Sequence, residues 1–444
     1  MKNKIIYYFL FTYIIFFNYE LFPLLAIVLT IYIEISKKNL LSELNLNFYK
    51  FITLVFYFSK LVFSLNEILF NYWKKLSLKL FYVEMPFIDM QQSLFAIKCN
   101  SLDYNFEYDP FYRSNESWFP ILKCDEIIYQ TPLTSLLNLN LNIEITTFIL
   151  SFSLTVFFLK IYFKELSSSN ERFRYLIFFL TLSPPVNFLL DRMNVDLFIF
   201  ISIYFIFQNY YKFTQLKLFF LLLMSFYKLH PIFIILGLLF FFVLKKDLKN
   251  SLLHLLAVAI FIPSVAMHYI QSGSSIPTFS NQGLTYGLLS DSEYLTRFLG
   301  TQLFNVNQLI IYILLSLLII ILTSYFSYDL KNKIINLNSN IFIFTLFFWY
   351  LGTSLYANND YRLALMILAC NWVFKSDNLG FKLSYVLLIF LNPLVLLENS
   401  LLFNMDSYNY IDLNFYFFTS YILYYLYAMV KDSYKKRNSW PLNY

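Results

Sequence analysis

Long apolar runs alternate with short polar connections along nearly the whole chain. Backbone inside a bilayer must satisfy its hydrogen bonds internally, so apolar runs of about 15 to 25 residues read as transmembrane helices. Runs near 5–17, 21–36, 51–70, 142–163, 175–190, 195–209, 217–228, 231–244, 251–268, 305–326, 340–356, 362–374, 383–398 and 412–430 predict 12 to 14 spans. The first two read either as a hairpin or as one long tilted helix. The beginning, Met1-Lys2-Asn3-Lys4 before an apolar stretch, has the form of a signal peptide, but Asn18, Tyr19 and Glu20 offer no small-residue cleavage site.

Positive residues are retained on the cytoplasmic side of a membrane, so alternate connections can be compared. One set holds 22 Lys and Arg, including Lys2, Lys4, Lys37, Lys38, Lys50, Lys245, Lys246, Lys249 and the tail from Lys431 to Arg437. The other holds 10, six of them in a single long loop, and Lys60 lies within a span. Both termini are therefore expected in the cytoplasm, which predicts an all-α, multi-pass integral membrane protein. The chain divides into N-terminal helices (1–70), a long outer loop (71–141), a central helical block (142–268), a second outer loop (269–304) and C-terminal helices with a basic tail (305–444). Long loops without repeats of their own are often functional, and both of these fall on one side.

Composition agrees: 59% of the 444 residues are hydrophobic and 14% charged, which argues against a water-soluble globule. A net charge of +6, dispersed among apolar runs, argues against nucleic acid as a partner. The 54 Phe and 38 Tyr against 7 Gly are the skew an AT-rich genome produces, so aromatic stripes carry little information. Three cysteines fit neither a disulfide scaffold nor a zinc spacing. Cys370 reads as a small buried hydrophobe. Cys99 and Cys124 share one polar segment and could pair in an oxidising compartment.

Four segments gather acids, cations and turn formers at the outer ends of the spans. In the first loop, Asp89 follows Pro86-Phe87-Ile88, and Asp109 precedes Pro110. A carboxylate at the membrane surface can accept a proton from an attacking hydroxyl; equally, Asp89 could N-cap a short interfacial helix, and Asp-Pro commonly starts a turn. The sequon Asn115-Glu116-Ser117 is a chance-level match in an Asn-rich chain.

Ser183-Pro184-Pro185 precedes Asp191, Arg192, Asn194 and Asp196, which read as membrane-embedded functional charges or as a polar hairpin tip with an Asp near a helix start. Tyr227-Lys228-Leu229-His230-Pro231 places a cation and an imidazole on the outer side, suited to a lipid phosphate or to interfacial snorkelling. Asn358-Asn359-Asp360-Tyr361-Arg362 adds a phenol and a guanidinium whose planar fork suits phosphate.

A short helix with Phe-x-Asp at the outer surface, two loop cysteines and these later segments resemble bacterial polytopic glycosyltransferases of the C-type fold. The nearest likeness is glycosyltransferase family 87, the polyprenol-phosphate-mannose-dependent mannosyltransferases and their uncharacterised relatives, over about Pro86 to Trp372. Asp89 matches the family's first-loop acid, Arg192-Met193-Asn194-Val195-Asp196 is similar to Arg-Gly-Asn-x-Asp, Lys228-Leu229-His230-Pro231 to Lys-x-x-Pro, and Asn359-Asp360-Tyr361-Arg362 to Asn-x-Tyr-Arg. Met193 stands where that pattern has glycine.

The resemblance implies inverting transfer of a hexose, such as mannose, from a polyprenyl-phosphate-linked sugar to a lipid or glycan acceptor outside the cytoplasm, at the bacterial inner membrane. It implies Asp89 as base with Asp109 in reserve. Lys228, Arg362 and Arg192 would sit at the lipid phosphate, and His230 at phosphate or sugar, with Asn194, Asp196 and Tyr361 in the substrate site. A divalent metal is compatible with the fold class, although no ligand cluster requires one. A lipid-linked saccharide transporter or flippase and a polysaccharide polymerase remain alternatives.

Overall fold

The computed structural model of the chain describes residues 28, 30–32, 46–63, 87–100, 107–110, 121–124, 137, 139–169, 174–193, 195–208, 214–272, 285–286, 306–330, 341–354, 358–376, 378–391 and 413–435. The described chain is mostly helical. In order it runs through α1 (Leu46–Phe63), α2 (Ile88–Cys99), α3 (Ile143–Ser168), α4 (Arg174–Thr181), α5 (Pro184–Asp191), α6 (Val195–Phe207), α7 (Thr214–Tyr227), α8 (Ile232–Leu244) and α9 (Leu248–Ser272). It continues through α10 (Val306–Leu330), α11 (Ile341–Ser354), a 3₁₀ helix (Asp360–Ala369), α12 (Cys370–Lys375), α13 (Leu379–Leu391) and α14 (Leu413–Lys435). Two short ribbons complete it: β1 (Glu107–Tyr108) pairs antiparallel with β2 (Leu122–Lys123), and β3 (Thr285–Tyr286) with β4 (Asn358–Asn359).

Among the described residues two segments, Ile143–Ser168 and Leu248–His268, are long and apolar enough to cross a membrane. α3 carries apolar side chains on its exposed face as well as in the core, where Leu154, Phe158, Ile161 and Leu166 are buried. Ile145, Ile149, Phe152 and Val156 face outward, whereas Thr147, Ser151 and Thr155 are buried. An exposed apolar stripe of this kind marks a surface that meets lipid or another apolar partner.

Most of the expected spans coincide with helices, with two differences. The 175–190 run is split at Ser183 into α4 and α5, because Pro184 opens a new helix, where a missing N–H costs nothing. Pro185 cannot donate to the carbonyl four residues back, that of Thr181; the Tyr57 hydroxyl does so instead, at 2.5 Å. The side-chain amide of Asn187 donates to the next carbonyl, Leu182, at 2.8 Å. The 362–374 run is not one α-helix but the 3₁₀ helix followed by α12. The expected spans at 5–17 and most of 21–36 lie outside the described residues.

The packing of α8 against α11 depends on two glycines. A Cβ on Gly352 would strike the ring of Phe233, and one on Gly237 would crowd Phe348. Gly352 lies about one turn from Trp349, and Phe233 about one turn from His230, so the notch brings Trp349 and His230 into register.

Candidate functional site

Three helix beginnings and one helix interior meet at one end of the helical assembly. The first is α2. Its cap residue, Phe87, has a left-handed backbone (φ 59°) and supplies no side-chain cap. Asp89, the second helical residue, is therefore not the N-cap that the turn chemistry allowed. Its backbone N–H donates to the carbonyl of Arg192 at 3.1 Å, satisfying one of the donors that a helix start leaves orphaned. Its carboxylate Oδ1 accepts from Arg192 Nε at 2.9 Å and Nη2 at 2.5 Å. Backbone and side chain thus join the same two residues, 103 positions apart in the chain.

Arg192 follows the end of α5. The next residue, Met193, has φ 48°, a left-handed conformation that terminates helices and favours glycine. This is the position at which the resembled pattern carries glycine. A bulky side chain there implies that the surrounding packing fixes the turn, and Met193 is indeed buried.

Asp196 occupies the equivalent place in α6, again second in its helix. Its Oδ1 lies 2.8 Å from His230 Nε2 and 3.2 Å from Lys228 Nζ. On the other side of the imidazole, Trp349 Nε1 donates to His230 Nδ1 at 3.1 Å. An indole N–H can only donate, so Nδ1 accepts and the neutral ring carries its hydrogen on Nε2, pointed at Asp196. The result is a buried Trp349-His230-Asp196 relay with Lys228 at its edge. One turn into α2, Ser93 Oγ donates to the Asp89 carbonyl at 2.8 Å.

The first loop is clasped over α2. Cys99 and Cys124 form a disulfide with Cα atoms 5.5 Å apart, as their shared segment suggested. The Tyr108 hydroxyl donates to Gln91 Oε1 at 3.0 Å, and its ring stacks on Phe95. Partial burial, reinforced by Glu144 and Asp109, pushes the Tyr108 phenol above its ordinary pKa, so it remains a donor across the physiological range. Lys123 and Glu107 pair at 3.6 Å across the β1/β2 ribbon.

Several sequence expectations change here. Asp109 is exposed at the end of β1, in the clasp. Both ring nitrogens of His230 face protein partners, Asp196 on one side and Trp349 on the other. Lys228 and Arg192 are ion-paired rather than isolated. Asn194 lies outside the described residues, as do the side chains of Asp191, Tyr361 and Arg362. The backbone of 358–359 pairs with Thr285 and Tyr286 through β3 and β4. Sequence reasoning missed Trp349, which sits in the run Phe-Phe-Trp-Tyr-Leu-Gly; in so aromatic a chain nothing marks it out.

Among the described residues no group of three His, Cys, Asp or Glu side chains comes together as a metal site. Comparison of the chain with protein-family models, curated proteins and solved structures finds no match.

Proposed function

We propose that the chain is a polytopic membrane glycosyltransferase that moves a hexose from a polyprenyl-phosphate carrier to an acceptor on the non-cytoplasmic side. The observation that carries this reading is the meeting of Asp89 and Arg192, tied by three hydrogen bonds, with the Asp196, His230 and Lys228 group at one end of the helices. The outward apolar stripe of α3 and the two long apolar helices support a membrane setting.

The acceptor hydroxyl attacks the anomeric carbon, its proton passes to Asp89, and the bond to the lipid phosphate breaks with its electron pair on phosphate oxygen. Arg192 orients the base. Lys228, steadied by Asp196, stabilises the leaving phosphate through charge-assisted hydrogen bonds, with Arg362 as a second cation. His230 and Trp349 hold Asp196 in place.

Purified protein given radiolabelled polyprenyl-phosphate hexoses tests the reading. One sugar added per acceptor supports it. Long products favour a polymerase, and no transfer together with carrier translocation favours a flippase.

A further inference from the structure

At the opposite end of α8 from His230, the chain turns through Lys245-Lys246-Asp247 into α9. Lys246 adopts φ 57°, which makes the turn tight. Asp247 caps α9: its Oδ1 accepts from Asn250 N at 3.1 Å and its Oδ2 from Asn250 Nδ2 at 2.6 Å. The carboxylate is thus engaged within the cap, while Lys246 and Lys249 are exposed and Lys245 lies 5.5 Å from the Phe241 ring centroid.

Beside this turn runs a groove of about 460 Å³ lined by Leu236, Phe240, Val243, Leu248, Leu252 and Leu255. Its walls are open: Leu248 is 71% exposed and Leu252 56%. Ser251 also borders the groove, but its hydroxyl donates to the Asp247 carbonyl at 2.7 Å and is turned into its own helix. The turn that follows Val243 and precedes Leu248, both in the wall of this apolar slot, carries Lys245 and Lys246, with Lys249 just beyond, a combination that matches a molecule with a hydrocarbon chain and an anionic head.

We propose that this groove holds an acyl chain of one anionic phospholipid whose phosphate is bound by Lys245, Lys246 and Lys249. The proposal rests on the membrane reading given above and not on glycosyl transfer. It places the bound lipid at the end of α8 opposite His230.

The test is native mass spectrometry of the full chain, purified in detergent and titrated with phosphatidylglycerol or phosphatidylcholine. The expected result is one tightly retained phosphatidylglycerol and weaker, unsaturating phosphatidylcholine. Each Lys→Gln change should weaken phosphatidylglycerol by about fivefold, and the triple variant by about a hundredfold. The triple Lys→Arg variant should retain binding, which separates lost charge from misfolding. Leu252→Trp, which fills the groove with the lysines intact, should also lower retention. Equal retention of the two lipids, an unaffected triple Gln variant, or displacement by uncharged polyprenol as effective as by phosphatidylglycerol would overturn the proposal. A chain that stays monodisperse without detergent refutes the membrane reading itself, and lipid binding without sugar transfer refutes only the enzyme.

Discussion

Asp89 and Asp196 begin from the same local position, the second residue of a helix, and end in different surroundings. Asp89 is 12% exposed and bound by one guanidinium that is 23% exposed. Asp196 is 5% exposed, with His230 and Lys228 on one oxygen and Trp349 behind the imidazole. The helix start favours a carboxylate in both cases, so it cannot distinguish them; the partners do. A reachable acid with one cation suits proton transfer to and from a substrate. A buried acid with a fixed imidazole suits the placing of other groups.

This contrast can be broken by exchanging the environments one contact at a time. The largest expected effect is from Asp89→Asn, which should lower transfer by about 10²- to 10⁴-fold while leaving expression and membrane insertion unchanged; full activity would move the base elsewhere. Asp196→Leu should act chiefly on the fold, because removing one member of a buried charged group costs about 3–5 kcal/mol. Thermal unfolding in detergent should show a larger drop in midpoint for this variant than for Asp89→Asn, which keeps an oxygen to accept from Arg192.

Trp349→Phe keeps the ring and deletes the donor to His230 Nδ1, with an expected cost of about 1–3 kcal/mol and a smaller loss of activity than Asp89→Asn. If it matches Asp89→Asn in activity, the relay is part of the chemistry. The smallest effect belongs to the clasp. Burial, with Glu144 and Asp109 nearby, raises the Tyr108 pKa on folding, so the contribution of the neutral phenol to the clasp is fully present below the ordinary tyrosine pKa of about 10. That contribution is lost as pH rises through the higher folded value. A difference spectrum between the parent and Tyr108→Phe should show no phenolate from this residue at pH 10, and its appearance there would place Tyr108 outside the clasp.

The helices were legible because hydropathy is a local property: 142–163, 195–209 and 231–244 correspond to α3, α6 and α8 almost end to end. Pro184 and Pro185 were visible as an interruption, but not the Tyr57 hydroxyl that repairs it, since that donor comes from 124 residues away. The charged groups could be found because ionisable side chains at the ends of apolar runs are costly and so stand out. Their pairing could not, because whether Arg192 meets a phosphate or Asp89 depends on how α2 approaches the α5/α6 turn. Trp349 was invisible for a related reason: its role follows from Gly352 admitting α11 against α8, which is a property of two helices together.

The 3₁₀ helix carries a last consequence. Ten residues wound three to the turn rise about 20 Å, where α winding would rise about 15 Å. Rewinding Asp360–Ala369 would draw Asn358 and Asn359 inward by about 5 Å and pull on the strand partnered with Thr285 and Tyr286. The tighter winding thus carries β4 about 5 Å farther from Ala369 than an α-helix of the same ten residues would.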